Sequence, residues 1–161
     1  MLQNARASLP LLADKPLPKE GRLVIYAHLE EAVRDALWIQ ESAPEQLAIK
    51  QSVFDDIQAA CPPDAVLASS TSGFRPAQLR EGALRPEQII VAHPYNPVYL
   101  LPAVELVGGT DNPAILAAEQ ILREIGMKPV TLRQEIDAHV GDRLLEALWR
   151  EALWLVKDDV A

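Results

Sequence analysis

Apolar positions along this chain fall into blocks whose period changes, and each change of period predicts an element. Over residues 44–60, Leu47, Val53, Phe54 and Ile57 fall roughly on one side of a 3.6-residue repeat, which predicts an amphipathic helix with a proline in its first turn. Asn112-Pro113 predicts a second helix running to about Ile125, with Asn112 as N-cap and Gly126 as its terminator. Short apolar runs of strand length cover residues 37–42, 65–68, 89–92, 103–107 and 128–132. Residues 22–27 are also rich in strand formers and predict a further strand. Residues 28–36 predict a short polar helix on which Glu30, Glu31 and Arg34 form a solvated face. A short helix is expected over residues 2–12 and a linker over 15–21, where two prolines and a glycine cannot continue a helix. Residues 75–81 and Pro86-Glu87 predict short turns or helical pieces. The last helix is expected over residues 138–157. It is apolar on most of its circumference, so it asks for partners on more than one side. Strands alternating with helices predict an α/β fold with a mostly parallel sheet.

Composition narrows the function classes. The chain has 161 residues, 49% of them apolar, enough for one domain with a core. Its net charge of −8 argues against nucleic acid or an anionic membrane as main partner and is compatible with a cationic small ligand. The lone cysteine, Cys61, permits no intrachain disulfide, which suits a reducing compartment. Three scattered histidines, with no CxxC or HExxH spacing, do not make a metal site. No apolar run approaches the ~18 residues of a membrane span. The N-terminus lacks the shape of a signal peptide, so a soluble, cytoplasmic protein is expected.

Candidate chemistry concentrates around His93. It follows an apolar strand and opens the irregular stretch His93-Pro94-Tyr95-Asn96-Pro97, and Glu105 comes twelve positions later inside the next strand. A histidine oriented by a carboxylate can take a proton from an alcohol near neutral pH. Upstream, Ser69-Ser70-Thr71-Ser72 ends another apolar run with hydroxyl groups.

These residues, with Val104-Glu105-Leu106-Val107 and Gly141-Asp142-Arg143-Leu144-Leu145, resemble the 3-hydroxyacyl-CoA dehydrogenase family over essentially the whole chain, and most closely its carnitine-oxidising branch. The resemblance implies oxidation of a 3-hydroxyl to a ketone with hydride passing to NAD. It makes His93 the general base, Glu105 the group that orients it, and Ser72 a contact to the substrate oxygen beside the nicotinamide. It places Asn96 where the loop meets the cofactor, and Glu45 and Lys50 along the nicotinamide ribose; a solvated helix face explains that pair about as well. The acyl-CoA branch has asparagine where this chain has Asp142, and an acid there suits a quaternary ammonium, though it can also pair with Arg143 or Arg150. His28 and His139 read as structural, with lining of the site the weaker alternative for His139, which lies beside Asp142. Trp149 and Trp154 read as packing in the core or against a missing partner or, less simply, as a cage for a trimethylammonium group.

The sequence holds no GxGxxG turn for a pyrophosphate. In the family resembled, that turn lies ahead of everything in this chain, so the resemblance implies an incomplete Rossmann-type doubly wound sheet lacking its first two strands. Residues 1–137 would be part of the dinucleotide-binding domain, and 138–161 the first helix of an all-helical domain that makes a homodimer in the full-length form. The absent strands belong to the middle of the sheet order, which would leave residues 22–27 without a neighbour and 37–41 as an exposed edge. Such a chain alone is expected to be inactive. The rival readings are a 3-hydroxyacyl-CoA dehydrogenase and a non-catalytic binding or assembly module.

Overall fold

The computed structural model describes residues 2–12 and 19–161; most of the predicted linker, residues 15–18, lies outside them. Five strands form one sheet in sequential order: β1 (Trp38–Glu41), β2 (Val66–Ser69), β3 (Ile89–Pro94), β4 (Ala103–Val107) and β5 (Lys128–Thr131). β1, β2 and β3 run parallel, β4 is antiparallel to β3, and β5 is parallel to β4. The helices are α1 (Leu2–Leu12), α2 (Leu29–Val33), α3 (Leu47–Ala60), α4 (Pro76–Leu79), α5 (Pro113–Glu124) and α6 (Gly141–Lys157), and Pro86–Gln88 makes one 3₁₀ turn.

The central strands are apolar on both faces because both faces are covered. Alternation along them feeds two cores. Leu67, Ile89 and Val91 pack with Phe54, Ile57 and Leu79 from α3 and α4 on one side. Val66, Ala68, Ile90, Ala92 and Leu106 pack with Ile115, Ala118 and Leu122 of α5 on the other. The Asn112 side chain accepts from the Ala114 amide at 2.8 Å, capping α5, and Gly126 follows the helix at φ 85°, as the sequence predicts.

Two expectations fail. Residues 22–27 are exposed and form no strand, with Ile25 89% exposed. A strand needs a neighbour for its amides and carbonyls, and no described strand lies beside this segment. The last helix starts at Gly141, not 138, because Ala138 (φ 60°) and His139 (φ 49°) adopt left-handed backbone. No residue of α6 is buried, and Leu148 and Trp149 lie exposed on its apolar face. Among the described residues, β1 is an edge strand of the sheet.

Candidate active site

The antiparallel register of β3 and β4 sets His93 directly opposite Glu105, so both side chains leave the sheet on the same face. Nδ1 of His93 lies 3.0 Å from Oε2 of Glu105, both residues being buried. The acceptor is a carboxylate, so Nδ1 carries the proton and Nε2 presents a lone pair in the neutral ring. The other oxygen of Glu105 accepts the backbone amides of Val140 at 2.9 Å and Gly141 at 3.0 Å. These are orphan donors at the start of α6, and they suit an anion. Glu105 is thus held at both oxygens, and the imidazole inherits that fixed position.

Nε2 of His93 is 3.2 Å from Ser72 Oγ. Ser72 sits on the turn after β2, and that turn is tied down on both sides of it. Thr71 Oγ1 donates to Glu45 Oε1, and the Gly73 amide donates to the same oxygen at 3.2 Å. Partial burial pushes the Glu45 carboxyl up. The hydrogen bonds from Thr71 and Lys50, the Lys50 charge and the Gly73 amide outweigh it and hold Glu45 below its ordinary range. Asp142 Oδ2, one residue into α6, lies 4.0 Å from His93 Nε2 with its side chain partly open to solvent.

Lys50, expected along a cofactor ribose or on a solvated helix face, is buried, which excludes the solvated face. It lies on the 47-50-54-57 stripe of α3, which faces the core, and is 1% exposed. Its ammonium donates to Glu41 at 3.0 and 3.2 Å and to the Ala43 carbonyl at 3.1 Å, and it lies 3.2 Å from Glu45 Oε2. It reaches the site only through these partners. Glu41 also accepts from Ser69 Oγ at 2.5 Å. Glu41 and Lys50 together brace the ends of β1 and β2.

Asn96 lines an open cleft of about 510 Å³ with Trp38, Gln40, Ser72, His93 and Ile125. The cleft opens at the carboxyl ends of the parallel strands, where open α/β sheets bind ligands. Tyr95 stands beside the site, its ring centroid 6.1 Å from that of His93. Burial raises its phenol above the usual value, and the charges of Glu105 and Asp142 add to that. A Cβ on Gly141 would collide with the Tyr95 hydroxyl, so a glycine lets the α6 turn close over the site.

Sequence reasoning assigns Glu41 no role, names Thr71 and Tyr95 only as members of their motifs, and places His139 among structural residues. His139 is fully buried with its ring centroid 5.4 Å from that of His93. One signal was legible for Glu41: a lysine on the apolar stripe of a helix demands a buried acid. Trp149 and Trp154 lie exposed on α6, away from the cleft, where they line a shallow groove of their own.

Comparison with known proteins agrees with this geometry. The model of the 3-hydroxyacyl-CoA dehydrogenase NAD-binding domain matches residues 7–136. An L-carnitine dehydrogenase/betainyl-CoA thioesterase of Ruegeria pomeroyi is 59% identical over the whole chain, which covers 34% of that protein. An L-carnitine dehydrogenase of Pseudomonas putida is 49% identical over 98% of the chain and 50% of its own length. Among solved structures, an NAD⁺-dependent 5-formyl-3-hydroxy-2-methylpyridine-4-carboxylic acid 5-dehydrogenase superposes with a TM-score of 0.84 at 27% identity, over 99% of this chain and 52% of its own. FadB2 of M. tuberculosis superposes at 0.77 with 27% identity, over 84% of this chain and 48% of its own. The chain therefore spans about a third to a half of the curated relatives it matches. With its paired histidine and glutamate, its doubly covered sheet and this match over most of its length, the chain belongs to the 3-hydroxyacyl-CoA dehydrogenase family, in the NAD-binding domain.

Proposed function

We propose that this chain carries the proton-transfer half of an enzyme that oxidises the 3-hydroxyl of L-carnitine to 3-dehydrocarnitine. The observation that carries the reading is the Glu105–His93–Ser72 line, with Nδ1 of the imidazole occupied at 3.0 Å and Nε2 turned to a hydroxyl at 3.2 Å. Ser72 Oγ marks where a substrate hydroxyl would be held. As the C–H bond breaks, His93 Nε2 receives the hydroxyl proton and Glu105 stabilises the imidazolium that forms. Bound NAD supplies the hydride acceptor.

The cleft suits the nicotinamide end of that cofactor. Its floor is apolar sheet, Ala92 and Val104, and its rim offers neutral hydrogen-bonding groups, Gln40, Ser42, Ser70, Ser72 and Asn96, with no carboxylate among its lining residues. Ser72 and Asn96 would contact the cofactor directly. Glu45 would contact it from the turn it anchors, and Lys50 would act by holding Glu45.

Asp142 supports the carnitine substrate. A carboxylate 4.0 Å from Nε2 attracts a cationic substrate near the reacting hydroxyl. Among the described residues no helix is long and apolar enough to cross a membrane. With this activity go a homodimer of the longer enzyme and a cytoplasmic location, both resting on the resemblance. The 161-residue chain, which holds no GxGxxG turn, is expected to turn over no carnitine alone.

The test is a chimera in which this chain replaces its counterpart in the 59%-identical relative. NADH formation from L-carnitine, with none from a short 3-hydroxyacyl-CoA, supports the reading. The reverse preference assigns the acyl-CoA substrate, and no turnover of either favours a binding module. Asp142→Asn should raise KM for carnitine by roughly two- to fivefold, as expected for one partly exposed charge contact, and change kcat less.

A further inference from the structure

The turn before α6 carries two features that stability alone would remove. Ala138 and His139 both hold left-handed backbone without being glycine, and Nδ1 of fully buried His139 has no hydrogen-bond partner among the described residues. A phenylalanine of similar size would leave no nitrogen unpaired. What the histidine adds is its other nitrogen: Nε2 lies 3.0 Å from the carbonyl oxygen of Thr71, 68 positions earlier. The acceptor is a carbonyl, so Nε2 is the donor.

That bond reaches the catalytic turn next to Ser72. Thr71 is held at its side chain by Glu45 and at its carbonyl by His139, and the following residue places Oγ 3.2 Å from His93 Nε2. The same turn of α6 donates the Val140 and Gly141 amides to Glu105. One three-residue segment, His139-Val140-Gly141, thus grips both partners of His93: Glu105 directly, and Ser72 through Thr71.

We infer that His139 is a positioning residue, whose Nε2 proton sets Ser72 against the catalytic imidazole and ties that contact to the seating of α6. It touches neither cofactor nor substrate; it fixes the distance between the group that holds the substrate oxygen and the group that takes its proton. The inference rests on the proposed roles of Ser72 and His93. Its first test does not need activity.

In the 161-residue chain, ¹⁵N-resolved imidazole NMR should show His139 protonated at Nε2. His139→Phe should move the His93 Nε2 resonance the way Ser72→Ala moves it, while His139→Gln, which keeps a donor near the same place, should restore it. Should the Phe variant not fold, His139→Met replaces it as the donor-free form. In the chimera, the donor-free variant should lower kcat about tenfold with KM for NAD within twofold, the scale of one lost hydrogen bond. Combined with Ser72→Ala, it should cost nothing further. A His93 Nε2 resonance that ignores His139→Phe, a Gln variant no better than Phe, or fully additive losses in the double variant would each overturn the assignment. A chimera inert toward every hydroxy substrate would instead count against the proposed function, and the NMR result would still decide the role of His139.

Discussion

Two buried carboxylate–base pairs have their acids on strands of the same sheet, and they put the same chemistry to opposite uses. Glu41 holds Lys50 at 3.0 Å, and Glu105 holds His93 at 3.0 Å. In the first pair every direction around the ammonium is filled, by two oxygens of Glu41, the Ala43 carbonyl and Glu45. In the second, the carboxylate occupies one ring nitrogen and leaves the other facing a hydroxyl at the cleft. The difference is a spare valence. A base whose hydrogen bonds are all used braces a fold, and one with a lone pair left over can accept a proton.

The largest break in this comparison is expected at the open pair. His93→Ala in the chimera should lower turnover by roughly 10²–10⁴, the usual range for a lost general base, and should lower the melting temperature less than a break in the closed pair, because the Val140 and Gly141 amides still hold Glu105. A steady-state assay beside a thermal melt checks both halves. The closed pair should show the reverse pattern. Lys50→Met leaves Glu41 buried and unpaired and should cost about 3–5 kcal/mol in urea unfolding of the chain. Replacing both, as Glu41→Gln with Lys50→Met, should recover much of that loss. A Lys50→Met variant as stable as the parent would show that the pair does not brace the sheet.

Gly141 sharpens the contrast from the side of α6. Gly141→Ala drives a methyl group into the Tyr95 side chain. It should cost about 1–3 kcal/mol, the range for overpacking, and lower activity through the displaced Glu105 contact. The smallest effect concerns acid. The Glu45 carboxyl is lowered in the folded chain, so its contribution to stability is present above its unfolded value, near 4.5, and is lost as pH falls through the lower folded value. Glu45 is nearly half exposed, so this contribution is small. Glu45→Gln should lower stability slightly at pH 7, where the contribution is present in full, and flatten its fall below pH 4.5. Urea midpoints across that window measure it.

How far the sequence was legible follows from the range of each interaction. The α5 boundaries were readable because Asn112, Pro113 and Gly126 act within a turn of themselves. His93 and Glu105 were readable because a twelve-residue spacing across a hairpin-like connection is local enough to carry a motif. Residues 22–27 misled because strand propensity states only that a segment would pair well, not that a partner is present. The burial of Lys50 was half legible, because its place on the apolar stripe of α3 asks for a buried acid but nothing local marks that acid, nine positions earlier on another element.

The alternation of apolar positions, the caps and the His93 motif determined by themselves an α/β sheet with an acid-oriented histidine at a strand end, since each depends on neighbours along the chain. Only the tertiary structure decided that Lys50 is enclosed, that Ser72 meets Nε2, and that His139 reaches back to Thr71. Those contacts join residues 9, 21 and 68 positions apart. A hydrogen bond spanning such separations exists only once the sheet has brought its strand ends together, because its strength depends on angstrom-scale geometry that no local pattern encodes.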